Sequence, residues 1–307
     1  MAELLVAMSV GMLVLLFGGV LLISANRAYV AQLQRAGIDD NGRYAIDIIT
    51  RAARQAAYVN WDSGEVGVDG NPNAQASLSG LDNRSLTRDT DGIADPRDDA
   101  VNGSDVLAVR FVGAGPSPDG DGSVISCAGF AVNALEEGWS IFYVARNADG
   151  EAELRCKYRG KKGWGADAIV TGVDTFQLLY GVDTDEPGDG VANEFITASA
   201  IDQLDAALVL TGADAPARAR ELRRRTWWKR VASIRIALLL HGVRGPDDRH
   251  EAVQFDLFGK SYGDAYGRSD PGVRLNEADM PATLRQRDRK LFTTTVLLRN
   301  PALRATR

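Results

Sequence analysis

Residues 4–23 read LLVAMSVGMLVLLFGGVLLI, twenty positions with no charge and Ser9 as the one polar side chain. At 1.5 Å of rise per residue such a helix spans about 30 Å, the thickness of a bilayer's hydrocarbon core. The segment is expected to cross a membrane rather than to fill a soluble core. Glu3 stands at its start, where a carboxylate is costly: about 2.5–3.5 kcal/mol at the centre of a bilayer, less toward an interface. No Lys or Arg precedes the run, while Arg27 and Arg35 follow it. Taken alone, that asymmetry puts the rest of the chain in the cytoplasm. A cleaved secretory signal does not fit, because it needs a basic leading region and a small-residue cleavage site.

Beyond Ile23 the apolar pattern continues instead of stopping at a turn. Ile46, Ile49, Ala53 and Ala56 recur at helical spacing with charges between them. The expectation is one long helix, transmembrane over residues 1–25 and amphipathic over residues 26–60. Gly37 and Gly42 each cost about 1 kcal/mol relative to Ala in a helix, so a kink is expected near them.

The period changes after about residue 62. Leu107, Val109 and Phe111 alternate with Ala108 and Arg110, and the same pattern recurs at Phe176–Val182, Ile234–Leu240 and Phe292–Leu298. Period-two alternation predicts strands with one face on a core and one toward solvent. Two runs, 141–144 and 154–158, flank NADGE and predict a hairpin with its turn at Asn147–Gly150. Strands after a long helix give an α+β fold, a long N-terminal transmembrane and amphipathic helix packed on an antiparallel β-sheet, with residues 61–307 as the globular part. Long Gly/Asp/Asn-rich loops are expected at 62–104, 113–123 and 260–280.

The chain has 307 residues, 35 basic and 41 acidic, for a net charge of -6. No global basic field exists to hold a nucleic acid, and none is expected as a partner. Two histidines, His241 and His250, leave little material for imidazole or zinc chemistry. No nucleophile, dyad or metal cluster supports an enzyme.

AELLVAMSVGMLVLL (2–16) resembles the N-terminal segment of type IV pilins, a Gly, an aromatic residue, Ser or Thr, Leu, any residue and Glu ahead of an apolar helix. Ala2-Glu3-Leu4-Leu5-Val6 matches the end of that motif, with Met1 at the Leu position. The resemblance implies a coding frame that begins upstream, with a short basic leader that would also reverse the orientation given by Arg27 and Arg35. DDNGRYAIDIITRAARQAAYV (39–59) is similar to a block of the PilW family of minor pilins. NGSDVLAVRFVG (102–113), 176–198, WKRVASIRIALLLHG (228–242) and KLFTTTVLLRNPAL (290–303) are similar to its later blocks in the same order. Residues 202–226 look longer than that family needs.

The resemblance implies a minor pilin acting in pilus assembly or priming, with the pilus tip and the shaft both open as its place in the fibre. It would be single-pass in the inner membrane, with a periplasmic C-terminal domain, and would enter the pilus fibre on assembly. Its partners would be other minor pilins and the major pilin, and Glu3 would be the docking carboxylate, facing the methylated N-terminal amine of a neighbouring subunit. A minor pseudopilin of a type II secretion system, or a membrane-tethered calcium-dependent adhesin, are the alternatives.

In that compartment the only two cysteines, Cys127 and Cys156, read as a structural disulfide, with two buried free thiols as the other reading. Residues 183–194 carry five acids and no base, and Asp183, Asp185 and Asp189 are the candidate ligands for a calcium cofactor. Glu186 and Pro187 break the EF-hand register, so the plain reading is a solvated turn. Asp89, Asp91 and Asp95 pose the same choice. RARELRRRTWWKR (218–230) has seven basic residues and one acid. With Trp227 and Trp228 embedded, such a run can bind single-stranded nucleic acid by phosphate contact and stacking, but against a net charge of -6 the favoured reading is a helix face leading into a strand, with a tryptophan packed inward.

Overall fold

The computed structural model describes residues 2–57, 73–244 and 252–298. His250, residues 58–72 of the sequence readings above, and the end of the last block from Arg299 onward lie outside them. Helix α1 runs from Ala2 to Arg54, 53 residues or about 80 Å. Every residue from Leu4 to Ile23 is exposed, whereas Ile38, Gly42, Ala45, Ile49, Ala52 and Ala53 are buried. The buried positions step by three and four, the spacing that keeps one helical stripe on a core.

No kink interrupts α1 at either glycine. Gly37 faces open space, but Gly42 lies against the Phe292 ring, and a Cβ there would overlap it. Close packing of ring on backbone offsets the helix propensity that glycine gives up.

Two antiparallel sheets follow. The first orders β1 (Leu78–Leu81), β2 (Val106–Val112), β3 (Glu137–Arg146), β4 (Ala152–Gly160) and β5 (Gly163–Thr171) as neighbours in sequence order. The β3–β4 hairpin turns at Asn147–Gly150, where the Asn147 side chain accepts from Asp149 and Glu151 N–H and Gly150 takes a φ of 81°. The second sheet has the order β11-β8-β6-β7, from β6 (Val173–Val182), β7 (Glu194–Ile196), β8 (Val231–Arg244) and β11 (Arg287–Leu297). Helix α1 packs on β8 and β11 and touches β5. One core joins Ile49 and Ala53 of α1 with Leu107, Phe111 and Phe142 of the first sheet and Phe176, Ile236 and Leu238 of the second.

The expected solvent-facing side of these strands is not what the structure shows. Every residue of β2 and β6 is buried, Arg110 included. Residues 82–98 lie over the outer face of the first sheet. There Leu86 and Ile93 pack with Val106, Ala108, Ile141 and Tyr143, beside an edge-on Trp139–Trp164 pair. The segment 254–286 covers the second sheet and contains β9 (Gln254–Asp256), α4 (Lys260–Tyr266) and β10 (Arg274–Asn276). Its Gly272 lies against the Gln177 side chain of β6. Segments expected as loops are thus covering layers.

The stretch 202–226, longer than the resemblance needs, forms most of α2 (Ala198–Ala206) and all of α3 (Ala215–Arg225), the second in line with the helix face read from 218–230. Thr197 caps α2 and Asp214 caps α3, each accepting from the N–H three residues on.

Candidate functional site

Glu3 occupies the first turn of α1 and is exposed, with Leu4, Leu5 and Val6 exposed behind it. Counted along the helix, the first residue that α1 buries in its own domain, Ile38, lies about 50 Å further on. No described part of the globular domain neutralises this carboxylate.

Cys127 and Cys156 are bonded, with Cα atoms 5.9 Å apart. The bond ties the loop after β2 to strand β4. An open groove of about 360 Å³ runs between this loop, α1 and β5, lined by Tyr44, Ile48, Ile125 and Ile169 among others.

Asp183, Asp185 and Asp189 lie in the loop after β6, and each can place a carboxylate oxygen within 4.8 Å of the others. Their oxygens already serve the loop. Asp183 accepts from Asp185 N–H at 3.2 Å and from Gly190 N–H at 2.6 Å, and Asp189 accepts from Val191 N–H at 2.8 Å. Asn193 donates to Asp185 at 2.9 Å. Arg230 adds a positive charge, bonding Glu186 at 2.8 Å and lying 4.0 Å from Asp183. The three carboxylates can meet a hard cation, and without one they already organise a turn.

The other acidic run is filled differently. Lys157, buried under residues 82–98, donates to Thr90 at 3.0 Å and lies 5.3 Å from the Trp164 ring. Burial lowers its ammonium to about 8 against the opposing pull of Asp89 and Asp91. A lysine ammonium supplies positive charge beside those two aspartates.

The sequence reading missed a buried ionic network around His241. Its Nδ1 lies 2.9 Å from Asp174 and its Nε2 2.6 Å from Glu151. Arg287 donates to Glu151 at 3.1 Å. Arg289 reaches Asp174 and Glu277, both at 2.8 Å. Burial opposes ionisation of Glu151, yet His241 and Arg287 beside it hold its carboxyl below the usual range. The network joins the β3–β4 turn, β6, β8, β11 and the covering segment. Such networks contribute geometry more than net stability, but removing one partner strands a buried charge. The signal was present as charges set inside apolar strands, in VDTFQ, LLLHG and DRKLF.

The basic run places Trp228 inward, edge-on to Tyr180 at 4.8 Å between ring centroids. Helix α3, just before it, buries none of its residues. Glu221 fastens α3 by accepting from Thr211 and Gly212 N–H, and it pairs with Arg225 at 2.9 Å. Arg218 and Arg225 donate to the carbonyls of Gly212 and Val209. Arg220, Arg223 and Arg224 are exposed and have no partner among the described residues.

A model of the PilW family, type IV pilus-assembly protein W, matches residues 141–300. No curated protein matches the chain. A type IV-like pilin from Thermus thermophilus is similar in structure at 12% identity, with a TM-score of 0.39, over 86% of this chain and 97% of that one. The family match takes in β4 through β11, the strands that carry the second sheet and the acidic loop, and spans just over half of the sequence; the chain belongs to the PilW family of type IV pilus-assembly proteins.

Proposed function

We propose that this chain is a minor pilin that helps to prime and assemble the type IV pilus, without catalytic activity. Before assembly Leu4–Ile23 holds it in the inner membrane with the globular domain in the periplasm. On assembly the apolar half of α1 leaves the bilayer and packs among the helices of other minor pilins and the major pilin. The observation that carries this reading is the division of one continuous helix into an exposed apolar half, headed by Glu3, and a half seated in a PilW-family domain.

A carboxylate among packed apolar helices is expensive unless paired. Glu3 therefore takes the N-terminal amine of a neighbouring subunit as its partner and sets the register at which the chain docks. The test is Glu3→Ala as the sole copy in the native host. The protein should reach the membrane at normal level with an unchanged domain melting temperature, while pilus number and pilus-dependent motility fall sharply. Normal piliation would remove Glu3 from docking. Loss of protein secretion with intact pili would instead assign the chain to a type II secretion pseudopilus.

The convergence of Asp183, Asp185 and Asp189 supports a second reading, a calcium-dependent binding module carried by the same helix. Millimolar calcium should then raise the melting temperature, by an increment that Asp189→Asn abolishes. An unchanged melting temperature would leave the loop as a turn.

A further inference from the structure

Each ring nitrogen of His241 faces a carboxylate oxygen, Nδ1 that of Asp174 at 2.9 Å and Nε2 that of Glu151 at 2.6 Å. An ionised carboxylate only accepts hydrogen bonds, and a neutral imidazole has a single donor. Both contacts are hydrogen bonds only when both nitrogens carry protons. The charge count gives the same answer. Asp174, Glu151 and Glu277 bring three negative groups to the network, whereas Arg287 and Arg289 bring two positive ones. The imidazolium is the third. Helix α1 presents Arg35 and Asp39 near this end of β11, but each is already paired there, with Asp288 and Lys290. Arg285 of the covering segment is taken by the Met280 carbonyl.

The two carboxylates are held unequally. Asp174 is 1% exposed, and its other oxygen accepts from Arg289 at 2.8 Å. Its backbone carbonyl accepts from the Asn102 side chain, also at 2.8 Å. Glu151 is 34% exposed and follows the β3–β4 turn, where water can solvate it. When the imidazole gives up one proton, the bond to Glu151 is therefore the easier to lose. The proton retained is the one on Nδ1, since the partner of one ring nitrogen fixes the state of the other. The bare Nε2 lone pair then faces the Glu151 carboxylate and repels it.

Backbone bonds limit how far the change spreads. Gly172 N–H donates to the Ala152 carbonyl at 2.9 Å, and His241 N–H donates to the Gly172 carbonyl at 2.8 Å. Neither involves the Glu151 side chain, so the two sheets stay joined at Gly172 while the turn swings. The site lies where α1 enters the domain: Gly242, next in sequence to His241, packs against Ile38, and Asp288, next to Arg289, meets Arg35.

We propose that His241 is a proton-operated clasp between the two sheets. Doubly protonated, it fastens the β3–β4 turn to the second sheet through Glu151. Singly protonated, it keeps Asp174 and releases Glu151. The clasp closes as pH falls and opens as pH rises, beside the point at which the long helix joins its domain. The inference uses neither the docking role of Glu3 nor the membrane assignment of Leu4–Ile23.

The experiment is NMR of the full nitrogen-15-labelled chain in uncharged detergent, titrated from about pH 5 upward. His250→Gln removes the other imidazole of the sequence. At the acid end both nitrogens of His241 should carry protons, and on titration Nε2 should lose its proton while Nδ1 keeps its own. Across the same transition, exchange protection of the Asn147 and Gly150 amides should fall about tenfold or more, corrected for intrinsic exchange. Protection of the Gly172 amide should not change. Glu151→Gln sets an amide donor opposite the bare Nε2, so the turn should keep its protection at the alkaline end. Glu151→Ala should give the low protection at every pH. Turn protection that ignores the His241 transition overturns the proposal, as does loss of the Nδ1 proton in place of the Nε2 one. A Glu151→Gln variant that traces the wild-type curve overturns it as well. A fall at Gly172 together with the turn would refute a release confined to Glu151.

Discussion

From Leu4 to Ile23 every residue of α1 is exposed, whereas from Ile38 to Ala53 the same helix buries a residue at nearly every turn. The first half holds no partner in its own domain, and the second half is part of that domain's core. Local backbone structure is the same in both. What differs is burial: β8 and β11 cover the second half, whereas the globular domain covers none of the first. A helix can therefore be continuous in geometry and divided in thermodynamics.

Equivalent truncations in the two halves test that division. Ile49→Ala removes a fully buried side chain from the shared core and should lower unfolding free energy by about 2–5 kcal/mol. Leu13→Ala, made at a site 53% exposed, should leave denaturant unfolding of the detergent-solubilised chain unchanged. Equal losses would mean that the apolar half packs on its own domain. A smaller effect is expected at the seat of the second half. The loop closed by Cys127 and Cys156 lines a groove with Tyr44, Ile48 and Ala52 of α1. The Cys127→Ser/Cys156→Ser variant should lose about 2–4 kcal/mol on the chain-entropy account, with helix content retained. Loss of helix signal in the Leu4–Ile23 segment would show that the halves are coupled.

The smallest effect concerns the covering segment, remote from either half. Burial pushes Asp270 up to about 6, with a nearby Asp82 adding to the rise and the Tyr262 hydroxyl, 3.0 Å away, opposing it. An acid raised on folding contributes stability that is complete below about pH 4 and is lost as pH rises through about 6. Asp270→Asn keeps an acceptor for Tyr262 and should stabilise the protein by about 1–2 kcal/mol at pH 7.5, with no gain at pH 4. A gain equal at both pH values would point to packing instead of charge.

The fold was legible where one periodicity ruled a long stretch. Twenty uncharged residues admit few structures, and alternation at Phe176–Val182 and Ile234–Leu240 marks strands whatever covers them. Alternation reports only the inner face, however. The outer layers, 82–98 and 254–286, are rich in Gly, Asp and Arg and bury few anchors: Leu86 in the first; Leu257, Val273 and Met280 in the second. Scattered single anchors leave no period to read. The candidate sites divide in the same way. Glu3 stands out because nothing around it is polar. The His241 network is dispersed over residues 151 to 289, and only the pairing of β6, β8 and β11 brings it together.

The contact of Phe292 with Gly42 has one further consequence. A ring seated on bare backbone permits neither rolling nor sliding of the helix beneath it, as a key does in the slot of a shaft. Since α1 is unbroken from that point to Ala2, whatever angle the key sets is carried the full length of the shaft. The bearing of Glu3 about the helix axis is then a property of the globular domain, fixed some 60 Å away from it. One residue inserted between them would swing that carboxylate by about 100° and advance it by about 1.5 Å, leaving every side chain of the domain where it was.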